Sequence, residues 1–118
     1  MDDIKIFHAE YKFMEILWDN EPIKSSDLVK LAREKLGWKK STTYTVIRRL
    51  VDRRIISNED SIVRAVVGRE LAQRVETEEL IDKVYGGSIK SFFASFLQKE
   101  NLSKEDIEEL KKIVNKLD

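Results

Sequence analysis

Apolar side chains recur at helical spacing along most of this chain. Phe7, Tyr11, Met14, Leu17 and Trp18 predict a first helix over about 7–18. Asn20-Glu21-Pro22 ends it, because proline disfavours helical geometry in the residue before it. Ile23-Lys24 follows as a short extended piece. Ser25 or Ser26 stands where it would cap a second helix, which buries Leu28, Val29, Leu31, Ala32 and Leu36 and stops at Gly37. A third helical segment covers 40–54. The pattern then changes period. Ile55-Ile56-Ser57 and Ile62-Val63-Arg64-Ala65-Val66 flank Asn58-Glu59-Asp60, a turn-rich interval, and predict a two-stranded hairpin.

Gly68 marks a second change. Leu71, Val75, Leu80, Ile81 and Val84 indicate a fourth helix, broken at Gly86-Gly87-Ser88. Ile89, Phe92, Phe93, Phe96 and Leu97 form a fifth helical stripe, closed by Asn101-Leu102. Ser103-Lys104-Glu105-Asp106 resembles the capping-box start of a sixth helix. Ile107, Leu110, Ile113 or Val114, and Leu117 give that helix one apolar face. Three helices and a hairpin follow the order of a winged helix-turn-helix. The expected fold is therefore mainly α: a winged helix-turn-helix DNA-binding domain over 1–68, then a three-helix dimerisation module over 69–118. Three short helices bury little apolar surface by themselves. Three phenylalanines within five residues, left unshielded, would make an aggregation-prone patch. Pairing with a second copy resolves this, through Ile89, Phe92, Phe93, Phe96, Leu97, Ile107, Leu110 and Val114.

The third helix carries the chemistry. At 100° per residue, Thr43, Val46, Ile47 and Leu50 fall on one side. Ser41, Thr45, Arg48 and Asp52 fall opposite, flanked by Tyr44 and Arg49. An outer face of hydroxyls and arginine can donate to phosphates and to base edges in a major groove. Formal net charge is zero, but its distribution is uneven. Residues 39–54 hold six basic side chains against one acidic, and residues 69–118 hold nine against eleven. A basic stripe on one module beside a mildly acidic second half fits a DNA reader joined to an interaction module. Ser41, Tyr44, Thr45 and Arg48 are placed to reach base edges, and Lys39, Lys40, Thr42 and Arg49 to reach phosphates. Arg53 and Arg54 sit at the helix end, where they either reach the DNA backbone or simply cap carbonyls, the second being slightly favoured. The hairpin turn is acidic and only Arg64 nearby is basic, so the wing is either structural or touches DNA through backbone amides.

Other chemistries find little support. The chain has no cysteine, which excludes disulfides and thiolate metal sites, and no metal or cofactor is expected. Trp18 and Trp38 lie beside apolar residues and read as core. His8, the one histidine, reads as a surface or capping residue. Glu76, Glu78, Glu79 and Asp82 read as a solvated helix face. No set of residues fills the roles of a catalytic site. No apolar run reaches the ~18 residues needed to span a membrane, and the start Met1-Asp2-Asp3 lacks signal-peptide character, so a cytoplasmic protein without membrane insertion is expected. Two rival classes stay open: a winged-helix protein-interaction adaptor, and a ligand-responsive regulator with a phenylalanine-lined pocket.

The chain resembles the penicillinase-repressor family of BlaI/MecI type, which also contains copper-responsive repressors. The resemblance covers almost the whole chain. It is carried by Glu10-Tyr11-Lys12-Phe13-Met14-Glu15-Ile16-Leu17-Trp18 in the first helix and by Trp38, Thr42, Thr45, Arg49 and Leu50 in the third. Val84-Tyr85-Gly86-Gly87-Ser88 and Leu102-Ser103-Lys104-Glu105-Asp106-Ile107-Glu108-Glu109-Leu110 carry it in the second half. It implies a homodimeric repressor that binds double-stranded DNA at a palindromic operator, with the last three helices intertwined. It also implies control by a membrane sensor-protease that cuts the dimer module between an asparagine and a phenylalanine of the fifth helix. The matching pair here is Ser95-Phe96, a departure at the first position. The copper-responsive branch has a C-terminal cysteine cluster, which this chain lacks.

Overall fold

The computed structural model describes residues 4–99 and 102–116. The element order is α1 (His8–Asn20), β1 (Ile23–Lys24), α2 (Ser25–Leu36), α3 (Lys40–Asp52), β2 (Ile56–Glu59), β3 (Ile62–Ala65), α4 (Arg69–Tyr85), α5 (Ile89–Lys99) and α6 (Lys104–Lys116). Packing divides the chain into two compact units, Met1–Glu76 and Thr77–Asp118. The composition change at Gly68 and this division do not coincide. The opening turns of α4 pack with the first unit, where Ala72 is buried in the core.

The first unit is a winged helix closed around one interior. Phe13, Met14 and Leu17 of α1, Leu28 and Ala32 of α2, and Ile47 and Leu50 of α3 meet Ile55, Ile56 and Val63 at the sheet. Each of these side chains larger than that of Ala32 stabilises the fold by about 1.5–3 kcal/mol through loss of apolar surface to water. Trp38 stacks on Phe13 with ring centroids 5.7 Å apart. The Trp18 indole N–H donates to the Val67 carbonyl at 3.0 Å. Both tryptophans therefore pack as the sequence predicts, and the polar edge of Trp18 finds a partner. The Arg69 guanidinium lies 5.5 Å from the Trp18 ring and pairs with Asp19 at 2.6 Å.

Three local features differ from the sequence expectation. The sheet has three strands, in the order β1-β3-β2, because Ile23-Lys24 pairs antiparallel with Val63 and Ile62. Neither Ser25 nor Ser26 caps α2. Lys24 is the N-cap and makes no side-chain cap, while the Ser25 backbone N–H donates to the Ser61 carbonyl at 2.8 Å. A main-chain partner from the hairpin replaces the serine hydroxyl. The hairpin turn is also shorter than predicted. Asn58 and Glu59 belong to β2, with Glu59 opposite Ile62. The loop is Asp60-Ser61, both at positive φ (52° and 64°). Positive φ at both central residues is the twist that suits a two-residue hairpin. At the end of α2, Gly37 takes the left-handed cap at φ 71°, as expected.

The second unit is looser. Ser88 and Ser103 hydroxyls accept the backbone N–H of Ser91 and Asp106, capping α5 and α6. Phe92 meets Tyr85 and Phe93 edge-on at 5.4 and 5.3 Å, and Phe96 at 6.1 Å. Ile81 is buried, whereas Leu80, Val84, Ile89, Phe96 and Ile113 are exposed. An apolar groove of about 380 Å³ lies along α5 and α6, lined by Ile89, Phe93, Leu97, Ile107 and Leu110. Five of the residues expected to dimerise thus share one concavity. The Val114 side chain and all of Leu117 lie outside the described residues. Among the described residues no helix is long and apolar enough to cross a membrane.

Candidate nucleic-acid interface

Helix α3 is fixed from within and free on its outside. Thr43 is fully buried and its hydroxyl donates to the Lys39 carbonyl at 3.4 Å, so it serves the core. Ile47 and Leu50 are buried beside it, and Val46 is half-buried. Lys39, Lys40, Ser41, Thr42, Arg48 and Arg49 are exposed, and Tyr44 and Thr45 are half-buried. The Thr45 hydroxyl donates to the Ser41 carbonyl at 2.9 Å. Its proton is thus engaged in the helix, and its oxygen remains an acceptor toward a ligand. The eight expected contact residues lie within one stretch of helix, with Lys39 as its N-cap and no acidic residue in its first turn.

Arg53 departs from its expected role as a carbonyl cap. Its guanidinium reaches back to α1 and grips Glu10, with Nη1 to Oε2 at 2.7 Å and Nη2 to Oε1 at 2.9 Å. It also donates to the Lys5 carbonyl and lies 5.3 Å from the Phe7 ring centroid. A forked, charge-assisted pair fixes geometry better than a single contact. Burial by itself would raise the Glu10 carboxyl. The Arg53 hydrogen bond, the Phe7 amide and the charges of Arg53 and Arg49 outweigh it, and hold the group below the usual carboxylate range. Arg54 takes a left-handed conformation, φ 60°, and its backbone N–H donates to the Val51 carbonyl. The end of α3 is therefore closed by main chain, and Arg53 ties it to α1.

The sheet packs beside α3. Side chains alternate along β2, so buried Ile56 and exposed Asn58 share the face toward the helices. Ser57 and Glu59 take the opposite face, where Ser57 stands across from Arg64. Asn58 joins Tyr44, Ile47, Arg48 and Val51 around an open cleft of about 400 Å³. Sequence reading places Asn58 in the turn and misses this position. Period-two alternation counted from Ile56 is the signal that finds it.

Elsewhere the surface offers little chemistry. His8 is exposed at the start of α1. Burial raises the Tyr11 hydroxyl, helped by Glu15 and Glu76 and opposed by Arg69. Among the described residues no group of three His, Asp or Glu side chains is placed to hold a metal. Ser95 is half-buried and Phe96 exposed, both within α5.

Helices α1 to α3 with a three-stranded wing and an exposed basic third helix define a DNA-binding winged-helix protein. Residues 6–116 match the penicillinase repressor family model, and the chain belongs to that family. It is similar to the methicillin resistance regulatory protein MecI of Staphylococcus aureus strain Mu50, with 29% identity over 116 residues, covering 95% of this chain and 94% of that protein. It is also similar to the penicillinase repressors of Staphylococcus aureus (26% identity, 95% and 92% covered) and Bacillus licheniformis (22% identity, 93% and 89% covered). Family membership makes the chain a transcriptional repressor.

Proposed function

We propose that the protein represses its target genes as a homodimer bound to a palindromic operator. The observation that carries this reading is α3, whose inner face is locked into the core while lysines, arginines and hydroxyls crowd the outer one. Ser41, Tyr44, Thr45 and Arg48 read base edges, and Lys39, Lys40, Thr42 and Arg49 hold phosphates. Two copies of α3 enter successive major grooves, with their spacing set by the second unit. The exposed apolar residues of α5 and α6, Ile89, Phe96 and Ile113 among them, support pairing there. Similarity to penicillinase and methicillin-resistance regulators supports β-lactam-resistance-type target genes. Release comes from a membrane sensor-protease that cuts at Ser95-Phe96. That bond lies inside α5, so the helix must unwind before a protease can thread it.

Unbiased selection of bound DNA fragments, followed by salt titration, tests the proposal. The expected result is a two-fold symmetric motif whose affinity falls steeply with salt. Recovery of fragments with no common motif would sink it. A second reading, regulation by a small apolar ligand, is favoured by the groove along α5 and α6. Thermal shift with and without apolar ligands separates it from a pure dimer contact.

A further inference from the structure

The turn of the wing is acidic, which would make the whole wing idle toward DNA if its charge faced α3. The register places the Glu59 part of that charge away from the helix-facing side. Glu59 pairs with Ile62 and Asn58 with Val63, so the two side chains leave opposite faces of the sheet. The face toward α3 carries Ile56, Asn58, Val63 and Ala65, none of them charged. Of these, Asn58 alone is both polar and exposed. It shares one open cleft with Tyr44 and Arg48 of α3, over a floor of buried Ile47 and half-buried Val51.

We propose that Asn58 is a specificity-determining residue, reading a base edge from the wing side of the cleft that Tyr44 and Arg48 line from α3. The inference rests on the reading that α3 enters a major groove. A side-chain amide offers a donor and an acceptor together and matches the adenine edge bidentately. A lysine or arginine in its place would attract any phosphate by charge; an amide adds no such sequence-independent attraction. The short wing also limits reach. With a two-residue loop at Asp60-Ser61, the strand side chain next to α3 is better placed than the tip to share its groove.

The test is fragment selection with the full chain and with Asn58→Ala and Asn58→Asp. Both substitutions are at an exposed strand position, and thermal melts check that the fold survives. Asn58→Ala is expected to relax preference at one base pair in each half-site, with a roughly ten-fold loss on the selected operator and little loss on random DNA. Asn58→Asp is expected to turn that preference toward cytosine, whose amino group a carboxylate accepts. An unchanged motif with Asn58→Ala would overturn the proposal while leaving operator recognition by α3 intact. Equal weakening on operator and random DNA would overturn it too, making Asn58 a backbone contact. A native chain that selects no motif would bring down this inference together with the reading it rests on.

Discussion

The two units of the molecule use similar apolar side chains to opposite ends. In Met1–Glu76, Phe13, Met14, Leu17, Leu28, Leu50, Ile55, Ile56 and Val63 are all but sealed from water. In Thr77–Asp118, Ile81 is the buried hydrophobic residue among the described ones, while Leu80, Val84, Ile89, Phe96 and Ile113 stand exposed. Each helix of the first unit has a sheet or two other helices to lean on. The second unit has no sheet among its described residues for its helices to lean on, and apolar faces there stay uncovered within the chain. The difference separates a reader that is finished within one chain from a module that leaves apolar surface open to a second one. Under the proposed function that surface is another copy.

The largest expected effect breaks the closed unit. Leu50→Ala removes a fully buried side chain where α3 meets the core, and about 2–5 kcal/mol should be lost in urea unfolding. A loss well under 1 kcal/mol would mean the first unit is not closed there. Phe96→Asp probes the open unit. Phe96 is 43% exposed, so its replacement should scarcely change the first unit. The dimer should weaken by about 2 kcal/mol or more, near thirty-fold, read by sedimentation or a sizing column. A dimer of unaltered strength would remove Phe96 from the interface.

Two substitutions sharpen the contrast within the first unit, where surface and core have different work. Arg48→Ala should narrow the gap between operator and random DNA by about 1–3 kcal/mol. Arg49→Ala should instead weaken binding to every sequence and reduce the salt slope by about 1 for each phosphate it no longer neutralises. Arg48→Ala should leave the melting temperature where it is, and Arg49→Ala should lower it only slightly, because the Arg49 charge also favours the ionised Glu10 carboxylate. Equal losses on both DNAs from Arg48→Ala would reassign it to the backbone.

The smallest effect concerns Glu10. Its carboxyl lies lower in the folded chain than the ordinary 4.5, so its stabilisation is complete above that value and fades as pH falls through the folded one. Glu10→Gln should cost about 1 kcal/mol at pH 7, since its Arg53 partner is partly exposed to solvent. The variant should also lose less stability than the native chain as pH falls from neutral into the acid range. Parallel acid curves for the two proteins would remove the Glu10–Arg53 pair from the acid response.

Much of this architecture is legible in the sequence because helical periodicity survives where one face is buried. The α3 face is the clearest case: Thr43, Ile47 and Leu50 inward, Ser41 and Arg48 outward. The illegible parts depend on partners distant in sequence. Two residues cannot announce β1, since its pairing with β3 comes from across the fold. The cap of α2 misleads because a carbonyl from Ser61 does what a serine hydroxyl does elsewhere. Arg53 looks like a terminal cation because Glu10 lies 43 residues away. For Asn58, a turn placed two residues early hides which face of the strand it occupies.

The bond from the Ser25 amide to the Ser61 carbonyl, with the pairing of β1 to β3, leaves the wing little slack of its own. A loop that floats must be stilled each time it meets a ligand, and that entropy slows productive capture. Here the stilling is done once, during folding. Encounter with nucleic acid then resembles docking of two shaped bodies, so its rate should follow ionic strength through charge steering alone, without a slower ordering phase.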